Sequence, residues 1–380
     1  MSAGVRAISG YDATGDAVRI AGEVDLPHEL TLGRREQLRT DRCTQLAAAA
    51  ASLALEDAGL AGDEAAEPGR VGVVVGSGIG GAATAEHNWA GYFRDGPSGM
   101  RPRAIPMGMI NDPAAWVSIR HGFTGPCLAI ATACASGADA IVAGSQMIAT
   151  GEADIVLAGG TEAPVVRGIV CGFDRLSALS HRNDDPAGAS RPFNKDRDGF
   201  VLGEGAALLV LESAAHARAR GAHVHAALRG YGRSSDAHHV TMPHSDGEGA
   251  RKAIDRALRS AGAVAADVAA VNAHGTSTTL NDMTEARAIR AALGDVGVAV
   301  TATKSLVGHA LGAAGAIEAV GTVQMLTSGL VPPIANLNDP DPGVDLDVVR
   351  SAPRELTGTL VLSNSFAFGG HNVVLALATT

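Results

Sequence analysis

The same order of apolar segments occurs twice in this 380-residue chain, and this repetition limits the possible folds more than any other feature. In each half, short continuous apolar strands alternate with small-residue helices and glycine-rich loops. Strands that are apolar on both faces are typical of a sheet covered by helices on both sides. The repeat therefore predicts two copies of one α/β unit. The matched segments are residues 70–76 with 267–273, 127–133 with 298–303, 154–159 with 359–363, and 206–211 with 372–378.

The comparison of the two halves leaves one strand unmatched. Residues 224–231 predict a strand that opens the second half, whereas residues 1–16 are polar and rich in turn-forming residues. We therefore expect the opening strand of the first half to be lacking from this sequence. We divide the chain into an N-terminal half, residues 1–215, and a C-terminal half, residues 216–380. The polar segment 184–198 is interpreted as a surface loop between them.

Charge and cysteine content exclude several classes of protein. The formal net charge of −10 argues against a general nucleic-acid-binding protein. The four cysteines are scattered and form no Cys-x-x-Cys pair, so we expect reduced thiols and a cytoplasmic location. The first ten residues contain no basic-then-apolar leader. No apolar run approaches the roughly 20 residues that are needed to span a bilayer, so we expect no membrane segment.

Cys134 is the first candidate for chemistry. It lies in ATACASG, between a predicted strand and a helix predicted over residues 135–150. The unpaired N–H groups at a helix start favour a thiolate and lower the thiol pKa, and the residue's own N–H can face an oxyanion. The alternative is a buried structural cysteine, which is the commoner fate of a free cysteine. Cys43 and Cys127 lie within apolar segments, and we assign both to the core.

Two histidines occupy positions like that of Cys134. His274 follows a predicted strand in VNAHGTST, and His309 lies in KSLVGHALGAAG, at a glycine-punctuated turn before a small-residue helix. The carboxyl ends of strands in a doubly wound sheet form one crevice, so we expect the three side chains to meet there. Taken singly, each histidine is better explained as an ordinary hydrogen-bonded residue.

Two other kinds of site are weighed against this crevice. His238, His239 and His244 form a loose cluster, but the sequence has neither HExxH nor a zinc-type Cys/His spacing, which argues against metal catalysis. Residues 76–81 match GxGxxG after a strand. A dinucleotide site also needs a second strand and an acidic residue about 20 positions on, and no strand is predicted there. We interpret these glycines as a tight loop near the crevice.

Five motifs together resemble the β-ketoacyl-acyl-carrier-protein synthase family, particularly the KAS I/II type of bacterial type II fatty acid synthesis. They span most of the chain in the family's order. The resemblance implies a duplicated thiolase-like α/β fold with α-β-α-β-α layers, usually homodimeric. It also implies a condensation that needs no cofactor, since 4'-phosphopantetheine is carried by the partner acyl carrier protein. The motifs are TACASG around Cys134, DGFVLGEGAA at 198–207, NAHGTST around His274, KSLVGHALGAAGAIE at 304–318 and SNSFAFGGHN at 363–372.

The resemblance implies roles for the crevice residues. Cys134 would carry the acyl group as a thioester. His274 and His309 would bind the incoming malonyl thioester and support its decarboxylation. Lys304 would hold the His309 side electrostatically, and Glu318 would belong to the same polar network.

Four further residues are implied to contact the substrate. Phe368 would gate the acyl pocket, and its backbone N–H would complete the oxyanion hole with that of Cys134. Thr276 and Thr278 would contact the phosphopantetheine arm, and Phe366 would also bind substrate.

The implied partner calls for a basic surface. Acyl carrier proteins are acidic and so is this chain, so we expect a basic patch around the substrate entrance. The densest candidates are Arg34, Arg35, Arg39 and Arg42 in GRREQLRTDR. The alternative for such a run of charge is a solvated helix face.

The same motifs leave other functions to be considered. A ketosynthase of a type II polyketide pathway would use identical chemistry on a different chain. A thiolase would use coenzyme A thioesters and a second cysteine as base, but no cysteine follows Cys171. A non-catalytic chain-length subunit would lack the nucleophile. A papain-like hydrolase would not suit two strand-end histidines on a repeated α/β unit.

Overall fold

The computed structural model describes residues 4–61 and 67–380, in which the strands form two main sheets and two short ribbons. No helix of the described chain is long and apolar enough to cross a membrane. The strands are β1 (Val5–Ala7), β2 (Ile20–Gly22), β3 (Val71–Gly76), β4 (Cys127–Ile130), β5 (Ile155–Glu162), β6 (Gly205–Glu212), β7 (Ala227–Ser235), β8 (Val268–Asn272), β9 (Ala299–Thr301), β10 (Leu330–Val331), β11 (Asp347–Val348), β12 (Arg354–Glu355), β13 (Leu360–Ala367) and β14 (His371–Ala378). The helices are α1 (Arg34–Gln37), α2 (Arg42–Asp57), α3 (Ala82–Asp95), α4 (Ala104–Gly108), α5 (Asp112–His121), α6 (Ser136–Ala149), α7 (Arg167–Arg175), α8 (Ala214–Ala219), α9 (Glu248–Ala261), α10 (Thr279–Leu293), α11 (Lys304–Val307) and α12 (Ala314–Ser328).

The four strands of the first main sheet have the same order as four central strands of the second, with β4, β3, β5 and β6 corresponding to β9, β8, β13 and β14. The first sheet runs β4-β3-β5-β6, and the second runs β11-β9-β8-β13-β14-β7. In the first sheet β4, β3 and β5 are parallel and β6 is antiparallel to β5. In the second sheet β9, β8 and β13 are parallel and β14 is antiparallel to β13. The predicted duplication of one α/β unit is therefore confirmed.

Helices separate and cover the two sheets. The helices α6 and α12 pack between them, α2 and α5 cover the first sheet, and α9 and α10 cover the second. The middle layer is thin because small residues line it. A Cβ on Gly137 would lie 2.9 Å from the backbone oxygen of Gly312, and one on Gly315 would lie 2.9 Å from Ala138 N. These contacts give the predicted α-β-α-β-α layering and bring the two halves into direct contact.

The free edges of the two sheets differ. In the second sheet β7 pairs with the outer edge of β14, and every residue from 372 to 378 is buried. In the first sheet no described strand pairs with the outer edge of β6, and six of its eight residues are only half-buried. Within the described residues the first sheet thus has no counterpart of β7. The division at residues 215 and 216 stays a prediction.

Two predictions about location are wrong. Cys43 is buried as expected, but Cys127 is exposed because β4 is the edge strand of the first sheet. The segment 184–198 was expected at the surface, but seven of its fifteen residues are buried. Phe193 in this segment is fully buried, and Arg197 forms a buried ion pair in which its Nε lies 3.5 Å from a carboxylate oxygen of Asp282. The polar side chains of this segment are used for internal pairing, which composition alone does not reveal.

Candidate active site

A sharp turn places Cys134 at the junction of the two halves. The turn Ala133–Ala135 joins β4 to α6, and Ala133 has a φ of 49°, a left-handed conformation that is uncommon outside glycine. The turn packs against Leu311–Ala313 and Phe368–Gly370 of the second half. The Cys134 side chain is consequently buried, with 9% of the residue exposed.

The thiol of Cys134 is protonated in the free protein. Burial raises its pKa to about 11, although the Lys304 ammonium and the backbone N–H groups of Phe368 and Cys134 oppose the rise. The nearby carboxylate of Glu162 adds to it. The expectation that the helix start makes this thiol acidic is therefore wrong, because desolvation outweighs the donors.

His274 and His309 lie against each other, as the sequence predicts. Their ring centroids are 5.3 Å apart and the rings are nearly perpendicular, at 87°. His274 follows β8, and the backbone N–H of His309 donates to the carbonyl oxygen of Val201 at 2.7 Å. Burial lowers the pKa of both imidazoles well below 6.5, and the charge of Lys304 lowers them further. Both rings are therefore neutral at pH 7.

The buried Lys304 fixes the tautomer of His274. Its Nζ donates to Nδ1 of His274 at 3.0 Å and to the carboxylate of Glu318. An ammonium group has donors only, so Nδ1 accepts and the neutral ring carries its proton on Nε2. This hydrogen bond goes to His274, whereas Lys304 acts on His309 through its charge, in line with the predicted electrostatic role. Burial raises the pKa of Glu318 to about 7, against the opposing effect of Lys304.

The other predicted substrate contacts surround these groups. The hydroxyls of Thr276 and Thr278 are hydrogen-bonded to each other at 2.9 Å, directly after His274. The ring centroid of Phe366 is 6.1 Å from that of His274. Phe368 is half-buried at the start of the turn that follows β13, with its N–H toward the Cys134 sulfur. All of the residues predicted for the crevice are thus brought together.

The four arginines predicted to face a carrier protein are not equivalent. Arg34, Arg35 and Arg39 are exposed and form no ion pair with any residue of the described segments. Arg42 is half-buried, and its Nη2 donates to the carboxylate of Glu204 at 2.9 Å. Arg42 is thus already paired within the protein, and its place in the predicted patch stays a prediction.

Two buried carboxylates that the sequence analysis did not identify hold the loops around the site. Glu162 accepts hydrogen bonds from the N–H groups of Gly78, at 2.6 Å, and Ile79, at 3.1 Å. Glu285 accepts the backbone N–H of His274 at 2.8 Å. The N–H groups of the GxGxxG loop are thus satisfied within the protein, in agreement with its interpretation as a tight loop. For Glu162 the sequence did offer a signal, which is an acidic residue at the end of an otherwise apolar strand. A carboxylate that is buried there needs hydrogen-bond donors.

Comparison with known proteins places this arrangement in a family. Residues 12–217 match the family model of the β-ketoacyl synthase N-terminal domain, and residues 225–338 match that of the C-terminal domain. The chain belongs to the β-ketoacyl synthase family. Two relatives named 3-oxoacyl-[acyl-carrier-protein] synthase 2, from Synechocystis sp. and Coxiella burnetii, are each 44% identical to it. The alignments cover 98% and 99% of this chain and 90% and 91% of those proteins.

Solved structures agree with this assignment. The ishigamide ketosynthase/chain length factor is 34% identical, with a TM-score of 0.93 over 100% of this chain and 92% of the other. A type II polyketide ketosynthase, solved with its acyl-carrier protein and a bound hexaketide, is 33% identical, with a TM-score of 0.91 over 100% and 92%. The predicted family, thiolase-like fold and acyltransferase class of this β-ketoacyl synthase are therefore confirmed.

Proposed function

We propose that this β-ketoacyl synthase condenses an acyl group held on Cys134 with a malonyl group on an acyl carrier protein, in type II fatty acid synthesis. The observation that carries the proposal is the arrangement around the thiol. Two backbone N–H groups point at the Cys134 sulfur, beside two buried neutral histidines. The 44% identity to proteins named 3-oxoacyl-[acyl-carrier-protein] synthase 2 supports the substrate class.

The first half-reaction loads the enzyme. The Cys134 sulfur attacks the carbonyl carbon of the acyl thioester and its proton passes to the departing carrier thiol. A neutral imidazole of the pair can relay that proton, because neither ring is protonated at pH 7. The N–H groups of Cys134 and Phe368 stabilise the tetrahedral oxyanion. A thiolate is also a good leaving group, so the stored thioester remains reactive.

The second half-reaction forms the carbon–carbon bond. The bond between the malonyl α-carbon and its carboxylate breaks, carbon dioxide leaves, and the electron pair remains as an enolate. The Nε2–H of His274 donates to the enolate oxygen, and His309 supplies the second donor. The enolate carbon then attacks the acyl carbonyl, the bond from that carbon to the Cys134 sulfur breaks, and the sulfur takes up a proton from solvent. Electrons balance without a redox partner.

An assay with loaded carrier proteins tests this function. The purified chain is incubated with acyl carrier proteins bearing acyl groups of several lengths and with malonyl carrier protein. Intact-protein mass spectrometry should show an acylated chain and a β-ketoacyl product two carbons longer than the donor. Absence of an acyl-enzyme with every donor would contradict the proposal.

A type II polyketide ketosynthase is the second candidate, favoured by the 33–34% identical solved structures. Such an enzyme would extend one chain repeatedly without reduction and would depend on an added chain-length subunit. A single extension by the chain alone would support the fatty acid pathway.

Charge reversal at Arg35 and Arg39 tests the carrier-protein surface. We propose that the exposed Arg34, Arg35 and Arg39 contact the acidic carrier protein. The double variant Arg35→Glu/Arg39→Glu should raise the carrier-protein KM about tenfold, because two attractive contacts become repulsive. The kcat should be unchanged, and steady-state kinetics at low ionic strength gives both constants.

A matched control separates local contact from overall charge. Arg229 and Arg259 are exposed on the second half, and the variant Arg229→Glu/Arg259→Glu makes the same change in net charge. Its carrier-protein KM should stay near the wild-type value. An equal rise in both variants would show that the effect is not local to the proposed patch.

We also propose that the chain forms a homodimer through β4. This strand lies at the edge of the first sheet, and Leu128 on it is 45% exposed. An open edge with apolar side chains favours pairing with a second copy. Sedimentation should give about twice the 38.3 kDa chain mass, and Leu128→Lys should shift it toward that of one chain. Val264→Lys, at an apolar position of the second half that is 63% exposed, is the control.

A further inference from the structure

The carboxylate of Glu162 joins the two halves next to the active site. It is fully buried at the end of β5 and has no cationic partner among the described residues. It accepts four hydrogen bonds, which come from the hydroxyl of Ser77 at 2.7 Å and from the N–H groups of Gly78 at 2.6 Å, Ile79 at 3.1 Å and Gly312 at 2.9 Å. Three donors belong to the loop after β3, and the fourth belongs to the second half.

The linked segments carry the reacting groups. Gly312 lies in the turn three residues after His309, and a Cβ on it would lie 2.4 Å from Gly78 N. A Cβ on Gly78 would in turn lie 3.6 Å from the Cα of Ala133, the residue before Cys134. The loop after β3 is therefore in contact with both the nucleophile turn and the histidine turn, and the Glu162 carboxylate holds the three segments together.

We propose that Glu162 is a positioning residue of the condensation. Its carboxylate links residues 77–79 to the turn Leu311–Ala313 and so fixes the position of His309 relative to Cys134. This inference rests on the proposed function of these two residues. A carboxylate suits the task because it has acceptors only and can serve donors from several segments. Leu311 has a φ of 41°, so the turn that carries Gly312 is strained and needs such an anchor.

The same carboxylate also places a negative charge near the sulfur. The charged groups that act on Cys134 are Lys304, which lowers the pKa of the thiol, and Glu162, which raises it. The two histidines of the site are neutral and place no charge there. A neutral residue at position 162 should therefore make the thiol easier to ionise.

The variant Glu162→Gln tests both consequences. Its amide keeps one acceptor oxygen but places an NH2 donor against at least one N–H group that now donates to the carboxylate, so the link between the halves is weakened. The condensation kcat should fall about 100-fold through misplacement of His309. The carrier-protein KM should stay within about twofold, because the protein surface is unchanged. Mass spectrometry can follow the alkylation of Cys134 by iodoacetamide at a series of pH values. The pH at which the alkylation rate is half its maximum, the alkylation midpoint, should move below about 11.

A carboxylate on a half-buried residue at the other end of the same sheet provides the matched control. Glu212 pairs in β6 with the first residue of β5, and its carboxylate accepts from Arg220 and His216. Glu212→Gln can cost stability, but it should leave both the kcat per folded molecule and the alkylation midpoint at their wild-type values. Ser77→Ala removes the hydrogen bond from the hydroxyl to Glu162 and the one that the hydroxyl accepts from Gly80 N, and it keeps the charge. It should lower the kcat by a smaller factor and leave the midpoint unchanged.

Several outcomes would overturn the inference. A wild-type kcat in Glu162→Gln would do so, and so would a loss of activity that follows the folded fraction alone and leaves the alkylation midpoint in place. If Glu162→Gln does not fold, an unchanged kcat in Ser77→Ala overturns it instead. If the wild-type chain does not condense any substrate, the proposed function fails, whereas the alkylation comparison still tests the placement of Glu162 near Cys134.

Discussion

Cys134→Ala should abolish acyl-enzyme formation and lower condensation by at least about 10⁴-fold, because the atom that carries the acyl group is removed. No other thiol of the described chain can substitute for it. Cys43 is fully buried in the first turn of α2, and Cys127 and Cys171 are exposed on β4 and α7. The loss of one buried sulfur atom should cost only about 1 kcal/mol of stability, so the variant should fold.

Intact-protein mass spectrometry after incubation with acyl carrier protein gives the result directly. The wild-type chain should gain the mass of one acyl group, and Cys134→Ala should gain none. Cys171→Ala is the matched control, since it removes an exposed thiol outside the site, and it should be acylated like the wild type. An acyl group that persists on the Cys134→Ala protein would show that the nucleophile lies elsewhere.

The fold was predictable because burial on both faces leaves a clear pattern. Segments such as 71–76 and 373–378 are continuously apolar in the sequence and are buried strands in the structure. Their fixed order in the two halves was enough to predict the duplication, since equivalent sequences fold into equivalent units. Cys127 was misplaced because an apolar run does not distinguish a central strand from an edge strand. That difference depends on pairing partners far away in the chain.

The site was predictable in its residues but not in its electrostatics. Cys134, His274 and His309 follow strand ends, so the topology of parallel strands brings them together. The state of the thiol depends on the balance between desolvation and nearby donors, and burial reverses the expected direction of the pKa shift. Glu162 was missed for a related reason. Its donors at residues 78 and 312 are separated from it by 84 and 150 positions, so no local spacing records the contact.

His274→Ala should lower the kcat of condensation by about 10²–10³, equivalent to about 2.7–4 kcal/mol of lost transition-state stabilisation. The hydrogen bond from Lys304 keeps Nδ1 of His274 as an acceptor, so Nε2–H is preorganised to donate to the enolate oxygen. The acyl-enzyme should still form, because the oxyanion of that step is stabilised by the backbone N–H groups of Cys134 and Phe368.

Two measurements on the same His274→Ala protein separate these steps. Mass spectrometry follows acylation of Cys134, and conversion of malonyl to acetyl carrier protein follows decarboxylation. Acylation should go to completion, whereas decarboxylation should slow as much as condensation does, since both pass through the enolate. His181→Ala removes an exposed histidine that is paired with Asp174 at 2.7 Å, and it should change neither rate. If His274→Ala instead blocked acylation and left decarboxylation at the wild-type rate, His274 would serve the thiol and not the enolate.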